Sequence, residues 1–403
     1  MKVVLGNKFF YLKGGAEAVF FQERTSLLKE GHEVVDFSMR HPKNLESEYQ
    51  AYFTNYVDYY VTNGLVQKLR TAMKFIHSDE AVDKITQLID NEQPDLVHLH
   101  NVYHQLTPSI IPAIKSRNIP VLLTVHDGKL ICPNYSMLCK GKICSLCRQS
   151  RIDKVLWNNC QGSLFRSGLM FLEAFWHKWR RSYEALDLIL TPSVFYKELI
   201  ASRFSNNTIK VLPNGIETGS FIPRYDHDGY ILYYGRLSRE KGIATLLEAS
   251  EKLTSKPEVK VVGEGPMADS LMSRFPNVEY LGFKSGEDLM NLVRGAAFTV
   301  VPSEWYENCS MVVLESMAMG KPVIGARIGG LPEQVVDGET GLLFESGNVS
   351  HLAKQMDTLL RDNSLIKKMG KTARKRVEAE YSLDKHMQNL YAYYDGLRKG
   401  TLQ

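Results

Sequence analysis

The chain has 403 residues, a length that implies about two to three domains instead of one core. Hydrophobic residues make up 44% and charged residues 23%, the balance of a globular protein, which excludes a disordered, collagenous or coiled-coil chain. Lys plus Arg number 49 against 45 for Asp plus Glu, and a formal charge of +4 gives no ground to expect a nucleic-acid partner.

Lys2 to Gly6 reads as a buried strand, and the Gly14-Gly15 turn leads into a helix from Ala16 to Glu30. Further β-rich runs follow at Glu33 to Phe37, Leu96 to His100, Val121 to His126, Leu188 to Thr191 and Ile209 to Leu212, mostly with helical stretches between them. Strands buried on both faces that alternate with helices imply a parallel, doubly wound sheet, so residues 1–218 are expected to form one Rossmann-like domain. After the polar stretch from Pro223 to Gly229 the rhythm restarts, with strands at Tyr230 to Tyr234, Val259 to Val262, Val278 to Leu281, Phe298 to Val301, Val323 to Gly325 and Leu342 to Phe344. A second Rossmann-like domain is expected over 219–380, with a C-terminal helix over 381–403 that can cross back to the first domain. Two open α/β domains in series put their strand ends on a shared central cleft. No stretch reaches the ~18 apolar residues of a membrane span, and the first ten residues lack a signal-peptide core, so a cytoplasmic chain is expected.

Two segments stand out in the first domain. Phe165, Leu169, Leu172, Trp176, Trp179 and Tyr183 recur at helical spacing beside Arg166, Lys178, Arg180 and Arg181, the pattern of a helix lying at the inner face of a membrane or of one packed within the domain. Cys132, Cys139, Cys144, Cys147 and Cys160 cluster in one loop. Cys144 and Cys147 have the tight spacing of a zinc knuckle, and Cys132 with Cys160 can complete four thiolates around a structural zinc, leaving Cys139 spare. Disulfides and free thiols remain open for the same residues.

In the second domain Gly235-Arg236-Leu237-Ser238-Arg239-Glu240-Lys241-Gly242 follows a strand and precedes a helix, so two cations, Arg236 and Lys241, sit where free N–H groups and a positive dipole end favour phosphate. Further on, Glu307 lies in a loop and Glu315 about one and a half turns into the next helix, where carboxylates suit sugar hydroxyls and the N–H groups of Ser310, Met311 and Val312 suit an anion. The helix ends at Gly320-Lys321-Pro322-Val323. Two weaker patterns compete: Gly263-Glu264-Gly265-Pro266-Met267-Ala268 fits a dinucleotide fingerprint without the acidic residue one strand later, and Asp226-His227-Asp228 precedes a strand and reads as linker.

With Gly14-Gly15, His126 at a strand end, Pro213-Asn214-Gly215, Arg236 with Lys241, Glu307 with Glu315 and the Gly-Lys-Pro-Val turn, the chain resembles the retaining GT-B glycosyltransferases of family 4 over almost its whole length. The resemblance implies that Arg236 and Lys241 hold a donor diphosphate, Glu307 the transferred sugar and Glu315 the ribose. It further implies backbone contacts at Gly14, Gly15, Gly263, Phe283 and Ser310 to Val312, with His126 beside the reacting sugar. Asn101 and His104 are candidates for the acceptor side or for plain loop roles. The implied activity is metal-independent, retaining transfer from a nucleotide sugar, UDP ahead of GDP, to a glycan or lipid-linked acceptor. A nucleotide-sugar epimerase and a non-catalytic sugar-nucleotide-binding protein are the alternatives.

Overall fold

The computed structural model describes residues 1–59, 65–148, 151–205 and 208–401. The chain divides into two compact units, one made of residues up to 140, 144–212 and from Met387 on, the other of 141–143 and 213–386.

In the first unit β1 (Lys2–Gly6), β2 (Glu33–Phe37), β3 (Leu96–Leu99), β4 (Val121–Thr124), β7 (Leu188–Thr191) and β8 (Ile209–Val211) form an all-parallel sheet in the order β2-β1-β3-β4-β7-β8. The short pair β5 (Leu138–Cys139) and β6 (Lys142–Ile143) lies in the cysteine loop and is absent from the sequence reading. Val3, Val4, Leu5, Val97, Leu122 and Ile189 are at most 1% exposed, because helices cover both faces of a parallel sheet. Helices Asp79–Glu92, Leu164–Trp179 and Val194–Ala201 each start at a serine, Ser78, Ser163 and Ser193, whose hydroxyl accepts a backbone N–H of the first turn. β3 and β4 stop at Leu99 and Thr124, so His100 and His126 lie just beyond the ladder and not within it. Helix Leu383–Arg398 buries Met387, Leu390 and Tyr394, and the Tyr394 hydroxyl meets His98 Nδ1 at 2.8 Å in the first unit.

In the second unit β9 (Ile231–Tyr234), β10 (Val259–Val262), β11 (Glu279–Tyr280), β12 (Phe298–Val301), β13 (Val323–Ala326) and β14 (Gly341–Phe344) run parallel in the order β11-β10-β9-β12-β13-β14. The order reverses at β9/β12 here and at β1/β3 in the first unit, and the crevice beyond such switch points is where open α/β sheets bind ligands.

No helix among the described residues is long and apolar enough to cross a membrane. Helix Leu164–Trp179 turns Ser167, Met170, Glu173 and His177 inward and leaves Leu164, Phe165, Leu172, Phe175 and Trp179 exposed. The inward anchors are polar: Glu173 accepts from Lys129 Nζ at 2.5 Å, and His177 binds the Ile76 carbonyl at 2.8 Å. Of the apolar stripe read from the sequence, Phe165, Leu172 and Trp179 are therefore exposed, Leu169 and Trp176 half-buried, and Tyr183 buried.

Candidate active site

The second unit assembles a candidate site at the β9/β12 switch. Gly242 has φ 68° and an added Cβ would sit 1.8 Å from the Pro302 carbonyl oxygen, so only glycine lets the loop after β9 press against the loop after β12. That approach brings Lys241 Nζ to 2.7 Å from Glu307 Oε1, an ion pair across 66 positions of sequence. The same carboxylate oxygen accepts from Ser303 Oγ at 2.6 Å and Trp305 Nε1 at 2.8 Å. Burial pushes the Glu307 carboxyl up, but the Lys241 charge and these three donors outweigh it and hold the group below its ordinary range. Lys241 also lies 4.9 Å over the Trp305 ring.

Arg236 is exposed, and its guanidinium makes no hydrogen bond or ion pair with another described residue. It is thus available for a bidentate hold on phosphate oxygens. Helix Met311–Ala318 follows Glu307, and the Met311 and Val312 N–H groups have no partner among the described residues. Ser310 differs from the expectation: its N–H is taken by Gln334 Oε1 at 2.8 Å, while Gln334 Nε2 donates to the Ser310 carbonyl at 3.0 Å. Glu315 is half-buried, and burial pushes its carboxyl up to about 7 against the opposing hydrogen bond from Tyr234. The Tyr234 hydroxyl, with one proton to give, lies 2.8 Å from the Val312 carbonyl and 3.0 Å from Ser316 Oγ.

Gly263 follows β10 at φ 129°, and a Cβ there would stand 2.0 Å from the Gly235 carbonyl oxygen. Phe283, just after β11, is 68% exposed. Lys321 of the Gly-Lys-Pro-Val turn is buried and donates to the Asp226 carbonyl at 2.8 Å, a structural role. Asp226 and Asp228 face Lys367 and Arg224 at 3.5 and 2.6 Å, as a linker would.

In the first unit Gly14 caps helix Gly15–Lys29 with extended backbone, and both glycines are exposed. Asn101 is held through its backbone, its N–H donating to Asn7 Oδ1 at 3.1 Å and its carbonyl accepting from the Lys8 N–H at 2.8 Å. His104 stacks on Phe75 at 4.0 Å and stands 3.4 Å from Lys129 Nζ and 3.8 Å from Glu173, inside a packed network that favours the loop role. Burial, then the charges of Lys129 and Lys8, hold its ring well below the usual histidine range. His126 lines a small cavity with His100, Asn101, Tyr103, Asp127 and Lys129. Its Nε2 is 2.9 Å from His100 Nδ1, and burial followed by the His100 charge lowers it to about 3, so the ring stays neutral.

The five clustered cysteines are free thiols, and they pair as Cys132 with Cys147 and Cys139 with Cys160. Cys144 stands outside both pairs. No three thiols come together within 4.8 Å, a spacing met among the described residues by Glu23, His98 and His100.

Sequence reasoning missed Ser303, Trp305, Gln334 and Glu23. Ser303 and Trp305 lie four and two positions before Glu307 and could have been sought as its donors; no spacing signal marks the others.

The Glycosyltransferase Family 4 profile matches residues 13–220 and the group 1 glycosyl transferase profile residues 220–376. Together with two Rossmann-like sheets carrying their sites at the switch points, this defines an α/β protein of the GT-B fold. The chain belongs to the group 1, family 4 glycosyltransferases and is a glycosyltransferase enzyme. It is similar to the sulfoquinovosyl transferase SQD2 of Arabidopsis thaliana, 31% identical over 50% of this chain and 43% of that protein. Glycosyltransferase MJ1178 of Methanocaldococcus jannaschii is 25% identical over 77% of this chain and 78% of its own, and spore coat protein SA of Bacillus subtilis 23% over 95% of each. The chain thus spans under half of the SQD2 length but most of the other two. Among solved structures, sucrose-phosphate synthase from Thermosynechococcus elongatus superposes with a TM-score of 0.73 at 20% identity over 99% of both chains. Anabaena HepE in complex with UDP gives 0.67 at 16% identity over 98% of this chain and 100% of that one, a likeness of fold.

Proposed function

We propose that the enzyme transfers a sugar from a nucleoside diphosphate sugar to a glycan or lipid-linked acceptor, keeping the anomeric configuration and using protein cations instead of a donor-site metal. The observation that carries this reading is Arg236, an exposed guanidinium without a carboxylate partner among the described residues, on the same loop as Lys241. As the glycosidic bond breaks, the leaving diphosphate gains negative charge, and preplaced cations with the Met311 and Val312 N–H groups stabilise that charge more in the transition state than in the ground state. UDP ranks ahead of GDP as the carrier, supported by HepE, whose solved complexes contain UDP and UDP-glucose. Retention is supported by the family resemblance. The test is incubation with UDP- and GDP-sugars. Release of free nucleotide, a product anomer matching the donor and a rate unaffected by EDTA are expected. An inverted anomer or a rate abolished by EDTA overturns the mechanism, an epimerised free donor identifies the epimerase, and no turnover with tight nucleotide binding identifies the binding protein.

A lipid-linked acceptor agrees with the exposed stripe of helix Leu164–Trp179, which is flanked by exposed Arg166, Lys178, Arg180 and Arg181. An apolar face beside cations suits the surface of an anionic membrane, a peripheral contact at its cytoplasmic face. Flotation with anionic vesicles is expected to recover the wild type and to lose a Phe165→Ala/Trp179→Ala variant; equal recovery of both removes the membrane from this reading.

The cysteine loop is proposed separately as a structural thiolate site for zinc. The donor chemistry suits zinc, but the arrangement as it stands does not, since the thiols form two pairs and no triple within ligand reach. The set proposed is Cys132, Cys144, Cys147 and Cys160, which would have to draw together around the ion. Protein purified without chelator is expected to carry about one equivalent of metal, lost in a Cys132→Ser/Cys147→Ser variant. Substoichiometric metal with five titratable thiols overturns it.

A further inference from the structure

We infer that Glu23 and His100 are positioning residues for His126, fixing it as the neutral Nε2–H tautomer so that its Nδ1 presents a hydrogen-bond acceptor to a sugar hydroxyl. The role toward sugar rests on the function proposed above; the tautomer does not.

Glu23 sits on the inner face of helix Gly15–Lys29 with Val19, Phe20 and Leu27, and its side chain has no exposure. A carboxylate in that position is retained only with compensating partners, because an isolated buried charge costs several kcal/mol. Its Oε2 lies 3.4 Å from His98 Nδ1 and 3.3 Å from His100 Nε2. The trio has the spacing of a metal site, but both His98 nitrogens are already engaged, Nδ1 with the Tyr394 hydroxyl at 2.8 Å and Nε2 with Thr124 Oγ1 at 2.7 Å. A cation would have to displace one of these hydroxyls, and His100 Nε2 faces Glu23 at ion-pair distance without an aligned hydrogen bond, so the carboxylate acts on it through its charge.

His100 then links the carboxylate to the site. Its ring stands nearly parallel to that of His126, at 17° and 5.2 Å, with Phe20 packed edge-on at 5.3 Å. Two imidazole nitrogens 2.9 Å apart hold one proton between them, so one ring donates and the other accepts. The carboxylate favours a proton on His100 Nε2, which leaves His100 Nδ1 as the acceptor and makes His126 Nε2 the donor. His126 Nδ1 makes no hydrogen bond to another described residue, and the ring borders the cavity with Asn101, Tyr103 and Asp127. This is the logic by which a buried acid sets the tautomer of a catalytic histidine.

The experiment is two-bond nitrogen–proton correlation NMR on the full chain with labelled histidine, His126 being assigned from the signal lost in His126→Asn. The wild type is expected to show His126 as a single neutral Nε2–H tautomer, a reading that requires no turnover. Glu23→Gln is expected to mix the tautomers and lower kcat about tenfold, the scale of one misplaced hydrogen bond to a ligand, with the donor KM unchanged. An Nδ1–H tautomer in the wild type, or a folded Glu23→Gln protein with the tautomer unchanged, overturns the inference. The predicted tautomer in a protein that transfers no sugar leaves it standing and overturns the proposed function instead.

Discussion

Lys241→Ala is expected to lower kcat by about 100-fold or more while moving the donor KM by less than tenfold, since a cation aimed at a leaving diphosphate acts mostly in the transition state. The side chain is already in place before nucleotide arrives, tethered to Glu307 at 2.7 Å, so little reorganisation accompanies the reaction. The substitution has a second consequence. Glu307 is 7% exposed and depends on Lys241 to offset its burial, so the variant leaves a carboxylate with only Ser303 and Trp305 as donors. Breaking a fully buried pair costs about 3–5 kcal/mol, and the 30% exposure of the lysine side chain reduces the expectation to about 1–2 kcal/mol. A Lys241→Ala/Glu307→Gln double variant is expected to regain stability and not turnover. The sign with pH follows from the lowered Glu307 pKa: its stabilisation is present above the unfolded value near 4.5 and is lost as pH falls through the lower folded value. Thermal melts at pH 3–5 and 7 should therefore show a shallower acid limb in Lys241→Ala. A raised KM with kcat unchanged would mean that Lys241 serves ground-state binding.

The strand positions of both units were open to sequence reading because strands covered on two faces are continuous apolar runs, as in Phe298-Thr299-Val300-Val301. The inward face of helix Leu164–Trp179 was not. Its apolar residues recur at helical spacing on a side that could equally be core, and what turns that side outward is Glu173 and His177, whose partners Lys129 and Ile76 are distant in sequence. Glu23 was hidden for the converse reason, a lone acid in a helix that gives no hint of facing histidines from β3. Lys241 and Glu307 were legible as separate site residues, but their pairing depends on β9 and β12 being sheet neighbours and on Gly242 admitting the Pro302 carbonyl. The short β5–β6 pair carries no alternating apolar pattern, and its two residues per strand are too few to read from sequence.

Glu315→Gln is expected to weaken binding of free UDP by about 10- to 150-fold, the value of a charged hydrogen bond to a ligand, while Glu307→Gln cuts turnover and leaves UDP affinity nearly unchanged. Glu315 owes its raised pKa of about 7 to burial, with the Tyr234 hydrogen bond acting against it. In the nucleotide-free enzyme it therefore takes up a proton as pH drops through that value and loses acceptor capacity for ribose hydroxyls. Wild-type affinity should fall between pH 8 and pH 6. The terminal phosphate of UDP ionises near ~6 as well, so the diagnostic quantity is the difference between wild type and Glu315→Gln, which lacks the carboxyl and should show the phosphate contribution alone. Stability follows the opposite sign from Glu307: a carboxyl raised from 4.5 to about 7 contributes fully below the lower value, and the contribution is lost as pH rises through the higher one. Glu315→Gln should accordingly melt at or above the wild-type temperature at pH 8, whereas Glu307→Gln should melt below it, having removed the partner of Lys241. Titration calorimetry with UDP at both pH values separates the two carboxylates. Weak UDP binding by Glu307→Gln together with normal binding by Glu315→Gln would reverse their assignment, because a sugar contact is absent from the free nucleotide and a ribose contact is not.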